Sequence, residues 1–169
     1  RINVMVRIDS VSTVTGLIYS IPAAHDKDGL INFTGANKNR QVVAVQGLGF
    51  VGTVMSLVVA NSDHGEYAVI GVDRATQDSY WKIAEINAGI CPIVSSDPLV
   101  SEFFEKAKQQ QNFYATYDSV AFSYADVIIV DINLDVTKVK DDLGNIESYD
   151  VPLVGFKKAI ESIGQVCKE

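Results

Sequence analysis

A corner built from glycines constrains this chain more than any other feature. The apolar run Val42-Val43-Ala44-Val45-Gln46 passes directly into Gly47-Leu48-Gly49-Phe50-Val51-Gly52, and the residues that follow, Thr53 to Ala60, are apolar enough for a buried helix. A G-x-G-x-x-G run that leaves a strand and opens a helix forms a tight corner on which an anion can rest. Gly47 permits the turn, Gly49 removes a side chain where a diphosphate would meet the backbone, and Gly52 lets the helix lie close to the sheet. The start of that helix aims free N–H groups and the positive end of its dipole at the anion. Leu48, Phe50 and Val51 supply backbone donors or apolar packing rather than reactive groups.

A second apolar run ends Val69-Ile70-Gly71-Val72-Asp73, which puts an acidic residue at the expected offset of roughly 20 residues past the glycines. Such a carboxylate can accept both hydroxyl hydrogens of an adenosine ribose and repels a 2′-phosphate, so NAD is favoured over NADP. Arg74 pulls the other way, because a guanidinium can pair with that phosphate. The competing reading needs no ligand: the glycines allow a close strand–helix turn in an α/β domain, and Asp73 caps a neighbouring element.

From Gln41 onward, short apolar runs alternate with longer helical segments, the signature of a parallel sheet with crossover helices. Strands are predicted at Val42–Gln46, Ala68–Val72, Phe113–Thr116 and Asp126–Asp131. Helices are predicted at Phe50–Asn61, Asp78–Ala88 and Asp97–Gln110, with a short one near Asp118–Tyr124 and a terminal one near Val151–Val166. The fold class is therefore α/β, a Rossmann-like doubly wound parallel sheet with helices on both faces. Before it, residues 1–40 show β-like runs at Ile2–Ile8, Gly16–Ile21 and Leu30–Phe33, and read as a small β-rich arm of unknown role. Residues 41–169 form the nucleotide-binding unit. Arg1 at the start and a last helix without a following element suggest a fragment of a longer chain.

Composition excludes several other classes. With 14 Lys and Arg against 21 Asp and Glu, the chain carries a net charge of −7, a poor basis for binding nucleic acid. No apolar stretch is long enough to span a membrane, and no membrane partner is expected. Cys91 and Cys167 stand far apart and form neither a disulfide framework nor a zinc cluster, which fits a reducing, cytoplasmic setting. His25 and His64 lack partners at metal-ligand spacing and read as surface residues; no metal is expected. Asp131, Asp135, Asp141 and Asp142 make an acidic region past the fourth strand that reads as a solvated loop. Ser119 and Ser123 have no nucleophile-elbow context, and Tyr80 and Trp81 read as packing aromatics.

The run Val43–Gly52, then Gly71-Val72-Asp73, Ile86-Asn87-Ala88-Gly89 and Pro92-Ile93, resembles the amino-terminal domain of the UDP-glucose/GDP-mannose dehydrogenases. The likeness continues through Ala125–Val130 and into Val151–Ile163. It implies an NAD-binding domain whose full-length parent oxidises the C6 hydroxyl of a nucleotide sugar to a carboxylate, through a thiohemiacetal and a thioester on a catalytic cysteine. That cysteine belongs to later regions of the family, and neither Cys91 nor Cys167 matches its motif, so no catalytic residue is assigned. The resemblance further implies a homo-oligomer in polysaccharide biosynthesis, the nicotinamide near Asn133, and Lys82 in place of a basic residue at the adenosine end; a solvated surface lysine is the competing reading.

The family's Asn-Thr-Pro-Thr reads Asn133-Leu134-Asp135-Val136 here, and its helical glutamate falls at about Gly155. Those departures keep two other readings open: a non-catalytic nucleotide-binding or assembly module, and the cofactor domain of another NAD-dependent dehydrogenase.

Overall fold

A computed structural model describes residues 8–62, 65–134 and 136–168. In chain order the elements are β1 (Asp9–Val11), β2 (Ile18–Ser20), α1 (Lys27–Ala36), β3 (Gln41–Gln46), α2 (Phe50–Ala60), β4 (Tyr67–Val72), α3 (Tyr80–Asn87) and α4 (Pro98–Gln110). There follow β5 (Phe113–Thr116), a 3₁₀ turn (Ser119–Ser123), β6 (Val127–Val130), β7 (Thr137–Lys140), β8 (Ile146–Asp150) and α5 (Val154–Val166).

Apolar residues on successive positions of β3 and β4 have to be buried on both sides, which only a sheet covered above and below can do. Four strands form that sheet in the order β5-β4-β3-β6, every pair parallel. Val43, Val45 and Val69 face α2, α3 and α4, where Leu57, Ile83, Ile86, Val100 and Phe104 meet them. Val42, Ala44, Ala68 and Ile70 face the opposite layer, built from α1, the 3₁₀ turn and α5. Chain order reverses at β3, between β4 and β6, and in open parallel sheets ligands settle at the carboxyl ends of strands at such a reversal. The glycine corner leaves β3 at that point.

Two expectations change. Leu30–Phe33 is not a strand but part of helix α1: Leu30 and Phe33 lie one turn apart on its buried side, a spacing that four apolar-rich residues cannot distinguish from a strand. Asp26 takes the N-cap position of that helix. The acidic stretch past β6 contains an antiparallel hairpin, β7 with β8, turning through Asp141 to Asn145. Its strands are short and fully exposed, with no apolar run to mark them, which hid them. Of the amino-terminal runs, Ile2–Ile8 lies outside the described residues except for Ile8, while the second run forms β2, paired antiparallel with β1.

Candidate functional site

The three corner glycines are required for different reasons. Gly47 has φ +102°, and a Cβ there would stand 2.0 Å from the Asp131 carbonyl oxygen. A Cβ on Gly52 would stand 2.0 Å from the Gly47 carbonyl oxygen. Both are dictated by the packing of strand, turn and helix. Gly49 differs: its backbone, φ −67° and ψ −170°, suits any residue, and an added Cβ would meet no atom within 4 Å. Nothing in the protein calls for its bareness. The space it leaves lies over the start of α2, where the amides of Phe50, Val51 and Gly52 have no carbonyl partner inside the helix.

Leu48 serves the interior instead of the cleft. Its side chain is fully buried against Gly71, where a Cβ would come within 2.5 Å of Leu48 Cδ2. Its N–H donates to Asp73 Oδ2 at 3.1 Å, so this amide is not free for an anion. Lys82 Nζ donates to the same oxygen at 2.9 Å, and the Arg74 N–H donates to Asp73 Oδ1 at 2.7 Å. A carboxylate has about four acceptor positions. With three taken, Asp73 as it stands has room for one ribose hydroxyl rather than two. Lys82 is only 18% exposed and faces inward, so the solvated-lysine reading is set aside.

These groups line one cleft of ≈ 820 Å³. Gly47, Leu48, Gly49, Phe50, Val51, Asp73, Arg74, Lys82 and Asn133 all contribute to its wall, and Gly52 sits just beneath, its position close to the Asp131 carboxylate. Sequence reasoning missed Asp78 and Ser79 on the β4–α3 loop, Asp131 at the end of β6, and Ala159 on α5. Asp78 and Ser79 could have been found from their place between Asp73 and Lys82. Asp131 had been read as part of a solvated loop, yet its Oδ2 stands 3.0 Å from the Cβ position of Gly52. Gly155 and Ala159, a turn apart on α5, give the far wall two small residues and no carboxylate.

Other candidates fall elsewhere. Burial, foremost, lifts the Cys91 thiol above its ordinary pKa, with Glu85 and Glu105 acting in the same sense against the opposing contact to the Ile93 carbonyl; it is no activated thiolate. His25 is 86% exposed but pairs with buried Asp118 at 3.1 Å, and His64 lies outside the described residues. Among the described residues no three His, Cys, Asp or Glu side chains could together hold a metal, and no helix is long and apolar enough to cross a membrane. Ser123 Oγ donates to the Val120 carbonyl, and Trp81 is buried with its indole N–H on the Asp78 carbonyl. Asn87, part of the Asn-x-Gly element, bonds both ways to the backbone of Ala115 and so ties α3 to β5.

The family model described as UDP-glucose/GDP-mannose dehydrogenase family, NAD binding domain, matches residues 41–169. The chain belongs to this dehydrogenase family. Its Rossmann-like unit is the family's NAD-binding domain. No curated protein matches the chain. Among solved structures it resembles an NDP-N-acetyl-D-galactosaminuronic acid dehydrogenase from Methanosarcina mazei Go1, with a TM-score of 0.63 and 22% identity over 82% of this chain and 28% of that one. A UDP-D-ManNAc dehydrogenase from Pyrococcus horikoshii is similar with a TM-score of 0.55 and 21% identity, over 75% of this chain and 26% of that one. At these identities the likeness is one of fold, and the chain spans little more than a quarter of either enzyme's length.

Proposed function

We propose that the cleft at the glycine corner is the NAD site of this family member. The diphosphate would rest over Gly49 and the first-turn amides of α2, the adenosine ribose at Asp73 beside Lys82 and Arg74, and the nicotinamide end toward Asn133 and the α5 wall. Gly49 carries the reading: it is the one corner glycine whose missing side chain answers to nothing inside the protein. NAD bound there would accept hydride in the parent enzyme, which we infer oxidises a nucleotide sugar at C6. Two hydrides would pass to two successive NAD molecules, and water would supply the second carboxylate oxygen. A cytoplasmic homo-oligomer making a polysaccharide precursor is the setting this reading implies.

The chain's own residues would bind and orient. Asp73 would accept a ribose hydroxyl, Lys82 would hold Asp73 in place and offset its charge, and the α2 amides would meet the diphosphate. Titration calorimetry with NAD, NADH and ADP-ribose tests this, and saturable heat is expected from all three. No heat at millimolar cofactor would overturn it. The second reading, a nucleotide-binding module without turnover, is favoured by the α5 wall, where Gly155 and Ala159 leave no proton acceptor. A full-length parent that binds NAD yet reduces none with any nucleotide sugar would establish it.

A further inference from the structure

We propose that the amino-terminal β1–β2 hairpin, which precedes the family domain, is a working part of the cofactor cleft, and that Ser10 is the positioning residue through which it acts. This rests on the reading of the cleft as the NAD site.

Helix α3 begins after Ser79, where a serine hydroxyl would ordinarily cap the first amides. Ser79 does not cap it. Its hydroxyl is turned back into the β4–α3 loop, bonded to the Arg74 carbonyl and to Thr76 Oγ1. The cap comes instead from the far end of the chain. Ser10 Oγ accepts the Trp81 N–H at 3.0 Å and donates to the Gln77 carbonyl at 2.6 Å. Ser10 is wholly buried, and so is its bond to the Trp81 N–H, which shields that cap from water.

The two groups that Ser10 joins, at Gln77 and Trp81, enclose Asp78 and Ser79 and adjoin Lys82, all on one side of the cleft. Arg74, Asp78, Ser79 and Lys82 line the cleft, and no residue of the hairpin does. The hairpin therefore holds that wall from behind. Lys82 follows Trp81 directly, so the placement of its ammonium on Asp73 depends on where α3 begins. A second tie lies deeper along α3, where Thr15 Oγ1 donates to fully buried Glu85, a residue outside the cleft. One hairpin thus makes two bonds to one helix, and only one of them bears on the cofactor wall.

The test compares Ser10→Ala with Thr15→Val, using calorimetry with NAD and ADP-ribose well below the melting temperature. Ser10→Ala should weaken both ligands about five- to tenfold, the worth of a lost cap, while Thr15→Val stays within about twofold of wild type. Trp81, the chain's only tryptophan, reports the same event, and its emission at saturating NAD should differ from wild type in Ser10→Ala alone. Ser10→Ala binding like wild type, or both variants losing affinity equally, would overturn the proposal. A wild-type chain that binds no NAD would overturn the cleft reading as well, whereas wild-type binding with a silent Ser10→Ala sinks this inference alone. Should Ser10→Ala not fold, amide exchange on the wild-type protein decides. Coupling is reciprocal, so NAD should slow exchange at Trp81 and across Asp9–Val11, and unchanged hairpin protection counts against the proposal.

Discussion

Lys82 Nζ stands 2.9 Å from Asp73 Oδ2, and the two side chains, 18% and 13% exposed, are held largely out of water. The pair joins the end of β4 to α3 across the part of the cleft proposed to hold the adenosine. Asp73→Ala removes the proposed ribose acceptor and takes the counter-charge from Lys82 in a cleft that Arg74 also lines. NAD affinity should fall by about 1–2 kcal/mol, the worth of a charge-assisted hydrogen bond. NADP, whose extra phosphate suits the cation that Lys82 then presents, should lose less or gain. Parallel titrations with the two cofactors check both effects, and an unchanged NAD constant would remove Asp73 from the site.

The corner glycines should separate stability from binding. Gly49→Ala meets no protein atom, so its melting temperature should stay close to wild type while NAD binding weakens at least about tenfold, because the new methyl occupies the diphosphate's place. Gly52→Ala drives a methyl into the Gly47 carbonyl and should destabilise the fold by about 1–3 kcal/mol or more. Thermal melts and calorimetry on both variants distinguish the two. A Gly49→Ala protein that binds NAD normally would deny the diphosphate that position.

What the sequence revealed follows from how local each signal is. The strand, the glycine corner and the place of Asp73 at a strand end were legible because their geometry is set by neighbours a few residues away, and the central strands β3, β4 and β6 were legible because they are apolar runs. The β7–β8 hairpin was not, since short strands exposed on both faces carry no apolar run. Nor was α1, whose helical character rests on burying Leu30 and Phe33 against a sheet layer assembled from distant segments. Asp131 was misread for the same reason: only the parallel pairing of β6 with β3 brings it to the corner. The three-fold occupation of Asp73 likewise depends on Lys82 folding back across the cleft, which no spacing rule encodes.

Asp131 places a carboxylate where a diphosphate would approach the α2 amides. Like charges at close range oppose each other, and in a partly enclosed cleft solvent screens them incompletely. Asp131→Asn keeps shape and hydrogen-bonding capacity while removing the charge. NAD should bind about three- to tenfold tighter, with a shallower dependence on ionic strength. Titrations at low and moderate salt measure this, and weaker binding in the variant would mean that Asp131 organises the corner instead of opposing the anion.

Tyr114 links the amino-terminal segment to β5 and gives alkaline stability a defined sign. Its hydroxyl donates to Asp26 Oδ2 at 2.7 Å, the oxygen that also accepts from Thr116 Oγ1 at 2.6 Å, and its ring stacks on Phe33 of α1. Burial first, then the bond to Asp26, raises the Tyr114 pKa well above the ordinary value of 10.0. A phenol whose folded pKa lies above its unfolded one binds more protons folded than unfolded between those values. Its stabilisation is therefore complete below about pH 10 and drains away as the pH rises beyond it. Melting temperatures should fall on going from pH 9 to pH 11. Tyr114→Phe should lose about 1 kcal/mol at neutral pH, since Asp26 forfeits a donor, and should show a shallower alkaline decline. Tyr80 and Tyr117, raised in the same direction by burial, will keep part of the slope in that variant. Equal slopes in wild type and Tyr114→Phe would show that the Tyr114 proton is not linked to folding.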